Sequence, residues 1–365
     1  MTTEQKHRKL PEKPPRLVES TEALKHLVDR LMQEPQVAVD TESNSLYAYH
    51  EQVCLIQFTI PEADFILDPF AVEDLSALAP FFADREIEKV LHAADYDLIV
   101  LERDYGFTCG RLFDTMWAGR ILGWPHVGLG SMLEEHFGIH LNKKFQRYDW
   151  GRRPLEPKAI AYARMDTHYL LDLREIQLSE LKARDRWEEA QEVFEYLRTN
   201  VPEPPSREVD ATFWRLKGLH KLKSRERRAL YQLHRWREAT AEAMERPPFK
   251  VMSRKRLIEL ARTQPRHRQG LKDAGLSNYQ IRRFGREILK IFRSKWEPLP
   301  PAPKDEGRPP DAVMERYHAL HDWRKDVAAG RGVDSDVILP NATLWHLVWH
   351  PPENKKDLLD VPGIG

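Results

Sequence analysis

Two acids spaced i, i+2 close an apolar, β-branched run, Val37-Ala38-Val39-Asp40-Thr41-Glu42. Residues two apart on a strand project from one face, so the Asp40 and Glu42 carboxylates are expected side by side. An acid at the end of a buried strand is costly without positive charge beside it, and a second acid adds repulsion. A divalent cation answers both costs; a pair of loop acids just past the strand's end is the plainer alternative. Farther on, Pro157 to Leu173 reads as a helix with one apolar stripe, Ala159, Tyr162, Ala163, Asp166, Tyr169, Leu170 and Leu173, which Asp166 interrupts. Tyr162 sits one turn earlier, so its hydroxyl and the Asp166 carboxylate can converge on one site. A core tyrosine beside a structural salt bridge fits the same pattern. Between these stretches, Val90 to Leu101 reads as a strand turning into a helix. There Asp95 suits the N-cap and Asp97 falls in the first turn, where the macrodipole favours an acid. Local sequence leaves cap and ligand open for that pair. Asp114, at a similar junction, reads as a cap.

The elements that must place these groups alternate in type. An amphipathic helix is expected over 17–34, starting at Thr21, followed by the Asp40 strand. A hairpin follows from Val53-Cys54-Leu55-Ile56-Gln57-Phe58 and Phe65-Ile66-Leu67. Then come a helix near 75–82, a strand at 89–92, a helix over 95–105, a short strand at 112–113, a helix over 114–122 and long helical patterns over 157–199. Strands first, then strand and helix in alternation, predict an α/β domain with a mixed five-stranded sheet and flanking helices. Composition changes after residue 200. The expected division is a flexible tail over 1–15, the α/β domain over 16–200, a linker over 201–206, a helical block over 207–297, a Pro-rich linker over 298–310 and a second helical block over 311–365. The two blocks read as distant repeats: Leu230-Tyr231-Gln232-Leu233-His234-Arg235-Trp236-Arg237 is echoed by Tyr317-His318-Ala319-Leu320-His321-Asp322-Trp323-Arg324. The closing Pro362-Gly363-Ile364-Gly365 lacks a following helix, so the second block is expected to be truncated.

The 365 residues carry no net charge, but the charge is unevenly placed. Between positions 207 and 297 there are 25 Lys and Arg against 10 Asp and Glu, so the remainder is as acidic as this block is basic. Lys221, Lys223 and Arg225 lie in its densest cluster and suit sequence-independent backbone binding. Lys143, Lys144, Arg147, Arg152 and Arg153 precede the Tyr162 helix, where they read either as phosphate contacts or as a solvated loop. Two cysteines, Cys54 and Cys109, in a chain of this length read as reduced thiols of a cytoplasmic protein. No stretch has the length and apolarity of a membrane span.

With Asp40-Thr41-Glu42 before Leu55-Ile56-Gln57, then His92-Ala93-Ala94 and Asp97-Leu98, then Asp149-Trp150 and Arg153-Pro154-Leu155, then Tyr162-Ala163 and Asp166, the chain resembles the tyrosine-containing branch of the DEDD exonucleases, most closely the ribonuclease D family. The helical blocks resemble HRDC domains. The resemblance implies an RNase H-like fold over 16–200. It makes Asp40, Glu42, Asp97 and Asp166 ligands of two divalent ions, Mg²⁺ or Mn²⁺, and Tyr162 the group that orients the attacking water. Asp97 is chosen over Asp95 by its register from His92. The implied activity is 3′-5′ hydrolysis of RNA releasing nucleoside 5′-monophosphates; tRNA precursors are the expected substrates and a monomer the expected state. Two alternatives stand beside it: a 3′-5′ DNA exonuclease acting on single strands by the same chemistry, and a catalytically silent nucleic-acid-binding adaptor. The acid set disfavours the adaptor, because a binding module gains nothing from negative charge where a phosphate must sit.

Overall fold

Short β1 (Arg16–Val18) leads into α1 (Thr21–Leu31), which Ser20 caps by accepting from the Ala23 N–H at 3.2 Å. β2 (Gln36–Ser43), β3 (Val53–Ile60) and β4 (Ala63–Leu67) follow, then α2 (Ala79–Ala83), β5 (Glu88–Leu91), α3 (Asp95–Tyr105), β6 (Leu112–Asp114), α4 (Thr115–Leu122) and α5 (Leu129–Phe137). The long helical pattern after residue 157 divides into α6 (Pro157–His168), α7 (Leu170–Ala183) and α8 (Trp187–Thr199). Helices continue through α9 (Val209–Trp214), α10 (Ser224–Ala243), α11 (Pro248–Val251), α12 (Arg254–Thr263), α13 (Arg268–Asp273) and α14 (Asn278–Arg293). The last are α15 (Asp311–Arg331), α16 (Ser335–Ile338), α17 (Asn341–Trp349) and α18 (Lys355–Leu359). This computed structural model describes residues 13–204, 207–303, 307–361 and 363–364. Most of the tail expected over 1–15 lies outside the described residues, as do Pro205 and Ser206 of the first linker.

The sheet is mixed and has six strands, in the order β1-β4-β3-β2-β5-β6. The expectation of five missed β1, whose three residues, Arg16-Leu17-Val18, are too few to show an alternation; they pair in parallel with Phe65-Ile66-Leu67 of β4. β2 is central, antiparallel to β3 on one side and parallel to β5 on the other. The parallel pairing covers only Gln36–Ala38 of β2, opposite Glu88–Val90. From Asp40 onward β2 therefore has a strand partner on one side alone, and its other side opens where β5 turns into α3. Crevices at the carboxyl ends of parallel strands are where α/β sheets place ligands.

The described residues form two compact units. One takes in the described residues within 1–43, 52–204 and 308–365; the other takes in those within 44–51 and 205–307. In the first, Val39, Phe58, Phe81, Val90 and Phe113 are fully buried between the sheet and its helices. The helices after residue 310 belong to this unit: Val337 joins its core, Arg331 pairs with Glu189 at 2.5 Å and Arg120 pairs with Asp336 at 2.5 Å. The last helical block is thus remote from the α/β fold in sequence but packs with it. In the second unit α9 to α14 enclose a core of Phe213, Leu230, Leu257, Leu271 and Ile288. Trp236 and Phe284 meet edge to face within it, so these aromatics pack rather than present stacking platforms.

Candidate active site

β2 runs as strand to Ser43, so Asp40 and Glu42 stand within the strand and not just past its end. Their side chains face α6, which packs across β2, β3 and β4. One carboxylate oxygen from each of Asp40, Glu42 and Asp166 lies within 4.8 Å of the other two. Among the described residues this is the one such group of metal-ligating side chains.

Asp166 and Tyr162 depend on how α6 is held. Asp64 of β4 is buried and receives Arg164 Nε at 2.5 Å, His168 Nδ1 at 2.9 Å and Thr59 Oγ1 at 2.8 Å. Thr59 Oγ1 lies 2.8 Å from Thr167 Oγ1. Contacts from Arg164, Thr167 and His168, within about one turn, therefore fasten the C-terminal end of α6, and with it Asp166, to the sheet. Though buried, Asp64 stays below the usual carboxylate range because His168 and Arg164 favour its charge. The Tyr162 ring is held between Phe145, at 5.6 Å between centroids, and Trp150, at 6.3 Å.

Of the two acids opening α3, Asp95 is exposed and Asp97 buried. Asp95 is not the N-cap: Ala94 takes that position, and Asp95 is the first helical residue. Asp97 Oδ1 accepts from both the backbone N–H of Thr41, at 3.1 Å, and Thr41 Oγ1, at 2.5 Å, which fixes it beside the strand between Asp40 and Glu42. The turn into α3 is tight. Ala93 adopts φ +58°, a left-handed conformation that side chains disfavour, and Asp114 stabilises it by accepting from the Ala94 N–H at 2.7 Å and the Ala93 N–H at 3.3 Å. The same carboxylate caps α4 by accepting from the Trp117 N–H at 2.9 Å. Asp114→Ala should thus cost a cap and strand one buried and one half-buried N–H group, about 2–4 kcal/mol in urea unfolding. A loss below about 1 kcal/mol would mean the turn holds itself.

Electrostatically the cluster is unfavourable without a cation. Burial raises the Asp40 carboxyl well above its ordinary range, and Asp97, Asp166 and Glu42 raise it further. Glu42 is raised by burial and then by Asp166 and Asp97. Burial pushes Asp97 up to about 7, and burial with Asp97 pushes Asp166 up to about 8. The Tyr162 hydroxyl is raised by burial and by Asp166, Glu42 and Asp40, which keeps it protonated beside them. An all-oxygen, all-carboxylate donor set with this much repulsion suits a hard divalent ion in place of the retained protons.

The basic candidates are placed variously. Lys144, Arg147 and Arg152 are exposed on the segment before α6, and the side chain of Lys143 lies outside the described residues. Arg153 is committed elsewhere: its guanidinium grips Asp68 at 2.5 and 2.7 Å and donates to the carbonyls of Trp150, at 2.7 Å, and Cys54, at 3.0 Å. It anchors the segment that carries Trp150 to the sheet. Lys221, Lys223 and Arg225 are exposed in the second unit, where Arg225 donates to Gln264 at 3.1 Å. The Thr41 contact with Asp97 and the Asp64 network escaped sequence reasoning; each joins residues more than 50 positions apart, and no local pattern marks it.

Residues 15–182 match the family described as 3′-5′ exonuclease, and residues 226–292 and 313–365 match the HRDC domain. Ribonuclease D of Desulfotalea psychrophila is 30% identical over 277 residues, which cover 75% of this chain and 74% of that protein. The exosome complex component 10 homolog of Caenorhabditis elegans is 32% identical over 333 residues, covering 90% of this chain but 36% of that protein, so the chain spans about a third of that relative's length. Among solved structures, Escherichia coli RNase D, an exoribonuclease involved in structured RNA processing, superposes with a TM-score of 0.68 at 25% identity, covering 96% of this chain and 95% of that one.

Proposed function

The chain belongs to the ribonuclease D family, and on that premise we propose that it is a metal-dependent 3′-5′ exoribonuclease releasing nucleoside 5′-monophosphates. The observation that carries the reading is the convergence of Asp40, Glu42 and Asp166 within 4.8 Å, with Asp97 pinned alongside by Thr41. These four carboxylates would hold two divalent ions, Mg²⁺ or Mn²⁺. Such ions lower the pKa of bound water and neutralise charge on the departing oxygen. Asp40 and Glu42, on a rigid strand, fix the direction of approach, and Asp166 closes the site from α6. Tyr162 stays protonated, so its hydroxyl is a hydrogen-bonding group that orients the attacking water.

Lys144, Arg147 and Arg152, with Lys143, are proposed to contact backbone phosphates near the site. Lys221, Lys223 and Arg225, just ahead of the first HRDC match, are proposed to hold RNA without regard to sequence, an attraction that weakens as salt rises. Likeness to an exoribonuclease involved in structured RNA processing supports structured RNA as substrate; tRNA precursors, a cytoplasmic location and a monomeric state are part of the proposal. No described helix is long and apolar enough to cross a membrane.

The test is a gel time course on 5′-labelled single-stranded RNA and matched DNA with Mg²⁺, Mn²⁺ or EDTA. Stepwise shortening of RNA that stops in EDTA supports the reading. Preferential DNA shortening replaces it with the DNA exonuclease, and binding without cleavage replaces it with the adaptor. Tyr162→Phe, which removes only a hydroxyl, should lower turnover about a hundredfold while leaving Mn²⁺ affinity unchanged. Equal turnover at saturating RNA would remove Tyr162 from the mechanism.

A further inference from the structure

Gln57 stands on β3 directly opposite Asp40 on β2. Directly opposed residues of an antiparallel pair put their side chains on one face, with Cβ atoms about 4.5–5.5 Å apart. The Gln57 amide therefore lies beside the Asp40 carboxylate on the side covered by α6. Its neighbours along the strand agree: Thr59 reaches Thr167, and Leu55 packs with Ala159 and Ala163. Gln57 is 0% exposed, and neither its Nε2 nor its Oε1 has a hydrogen-bond partner among the described residues. A buried primary amide with both ends unpaired carries its full desolvation cost. Leucine or methionine would fill the same space without that cost. The orphaned amide is adjacent to the one place where a ligand would change what surrounds it.

We propose that Gln57 is a positioning residue for the metal centre, its amide N–H donating to the Asp40 carboxylate and fixing that group's rotation when a divalent ion binds. Partners of this kind, behind the groups that touch an ion, orient ligands and set affinity. The inference rests on the metal-centre reading of Asp40, Glu42 and Asp166.

The test compares wild type, Gln57→Met and Gln57→Leu by calorimetric titration with Mn²⁺ in the absence of RNA, and by thermal melting in EDTA. Methionine keeps the length and removes the donor. Both variants should melt higher than wild type in EDTA, because an unpaired amide has left the core, and Mn²⁺ should bind about 10- to 100-fold more weakly. Mn²⁺ affinity within twofold of wild type overturns the proposal and leaves the metal centre standing. A lower melting temperature in EDTA, or failure of both variants to fold, also overturns it, since the amide would then be paired without the ion. Failure of the wild type to bind Mn²⁺ removes the metal-centre reading and this inference with it.

Discussion

Asp40→Asn is expected to lower RNA hydrolysis on the order of a thousandfold, the size of effect seen when one preorganised electrostatic contact is removed from a reacting centre. Asparagine has the same shape, so packing at that point of β2 is unchanged, but it is neutral and a poor ligand for a hard cation. The same substitution should stabilise the protein in EDTA. Asp40 is raised by burial and by three neighbouring acids, and removing its charge relieves all four. Lost activity with gained metal-free stability is an uncommon pairing, because most substitutions destabilise. It separates a ligand from a structural acid: a structural Asp40 would give lost stability and lost activity together. Labelled-RNA kinetics beside circular-dichroism melts in EDTA measure both. Activity within tenfold of wild type would take Asp40 out of the centre.

Periodicity made the main elements of this fold legible and left its long-range contacts hidden. Asp40 and Glu42 could be put on one face because a strand alternates, and the hairpin of β3 and β4 showed as two β-rich runs around Pro61-Glu62. β1 was lost because three residues show no period, and α5 because Leu129–Phe137 carries no starting signal: Gly128 occupies its N-cap with no side-chain bond. The long pattern after residue 157 conceals a break at Tyr169, where α6 gives way to α7. Apolar spacing continues through that break although α6 packs with Leu55 and Trp150 and α7 with a separate cluster that includes Val39 and Phe113. Charged residues were the least legible. Arg153 resembles a phosphate contact in its own neighbourhood, and only the arrival of Asp68 from 85 positions away shows it as an anchor. The choice between Asp95 and Asp97 likewise turns on Thr41, brought to α3 from β2.

The metal-free protein should lose stability as pH rises from about 6.5 to 8. A carboxyl whose pKa is higher in the folded chain than in the unfolded one binds protons preferentially when folded, so stability present at low pH is lost as pH climbs through the folded value. The loss starts near the unfolded carboxyl value of about 4 and ends at the folded values, about 7 for Asp97 and about 8 for Asp166, so it is still under way in this window. Each proton held only by the folded state contributes a slope of about 1.4 kcal/mol per pH unit. The window is clean on both sides. Burial lowers His92 and His234 to about 4, so their opposing contribution, stability gained with rising pH, is complete once pH passes the unfolded histidine value near 6.5. Lys89, lowered by burial to about 8, also stabilises with rising pH, but only above the window. Below it, Asp114, raised by burial to about 6, has already titrated. Manganese reverses the sign. An ion that displaces these protons binds more tightly as pH rises, so melting temperature with saturating Mn²⁺ should hold or increase where that in EDTA falls. In Asp166→Asn the fall in EDTA should be shallower and the manganese effect lost. Melting temperatures in EDTA that stay level from pH 6.5 to 8 would mean that the four acids are already ionised together, and a cation would then not be what the cluster lacks.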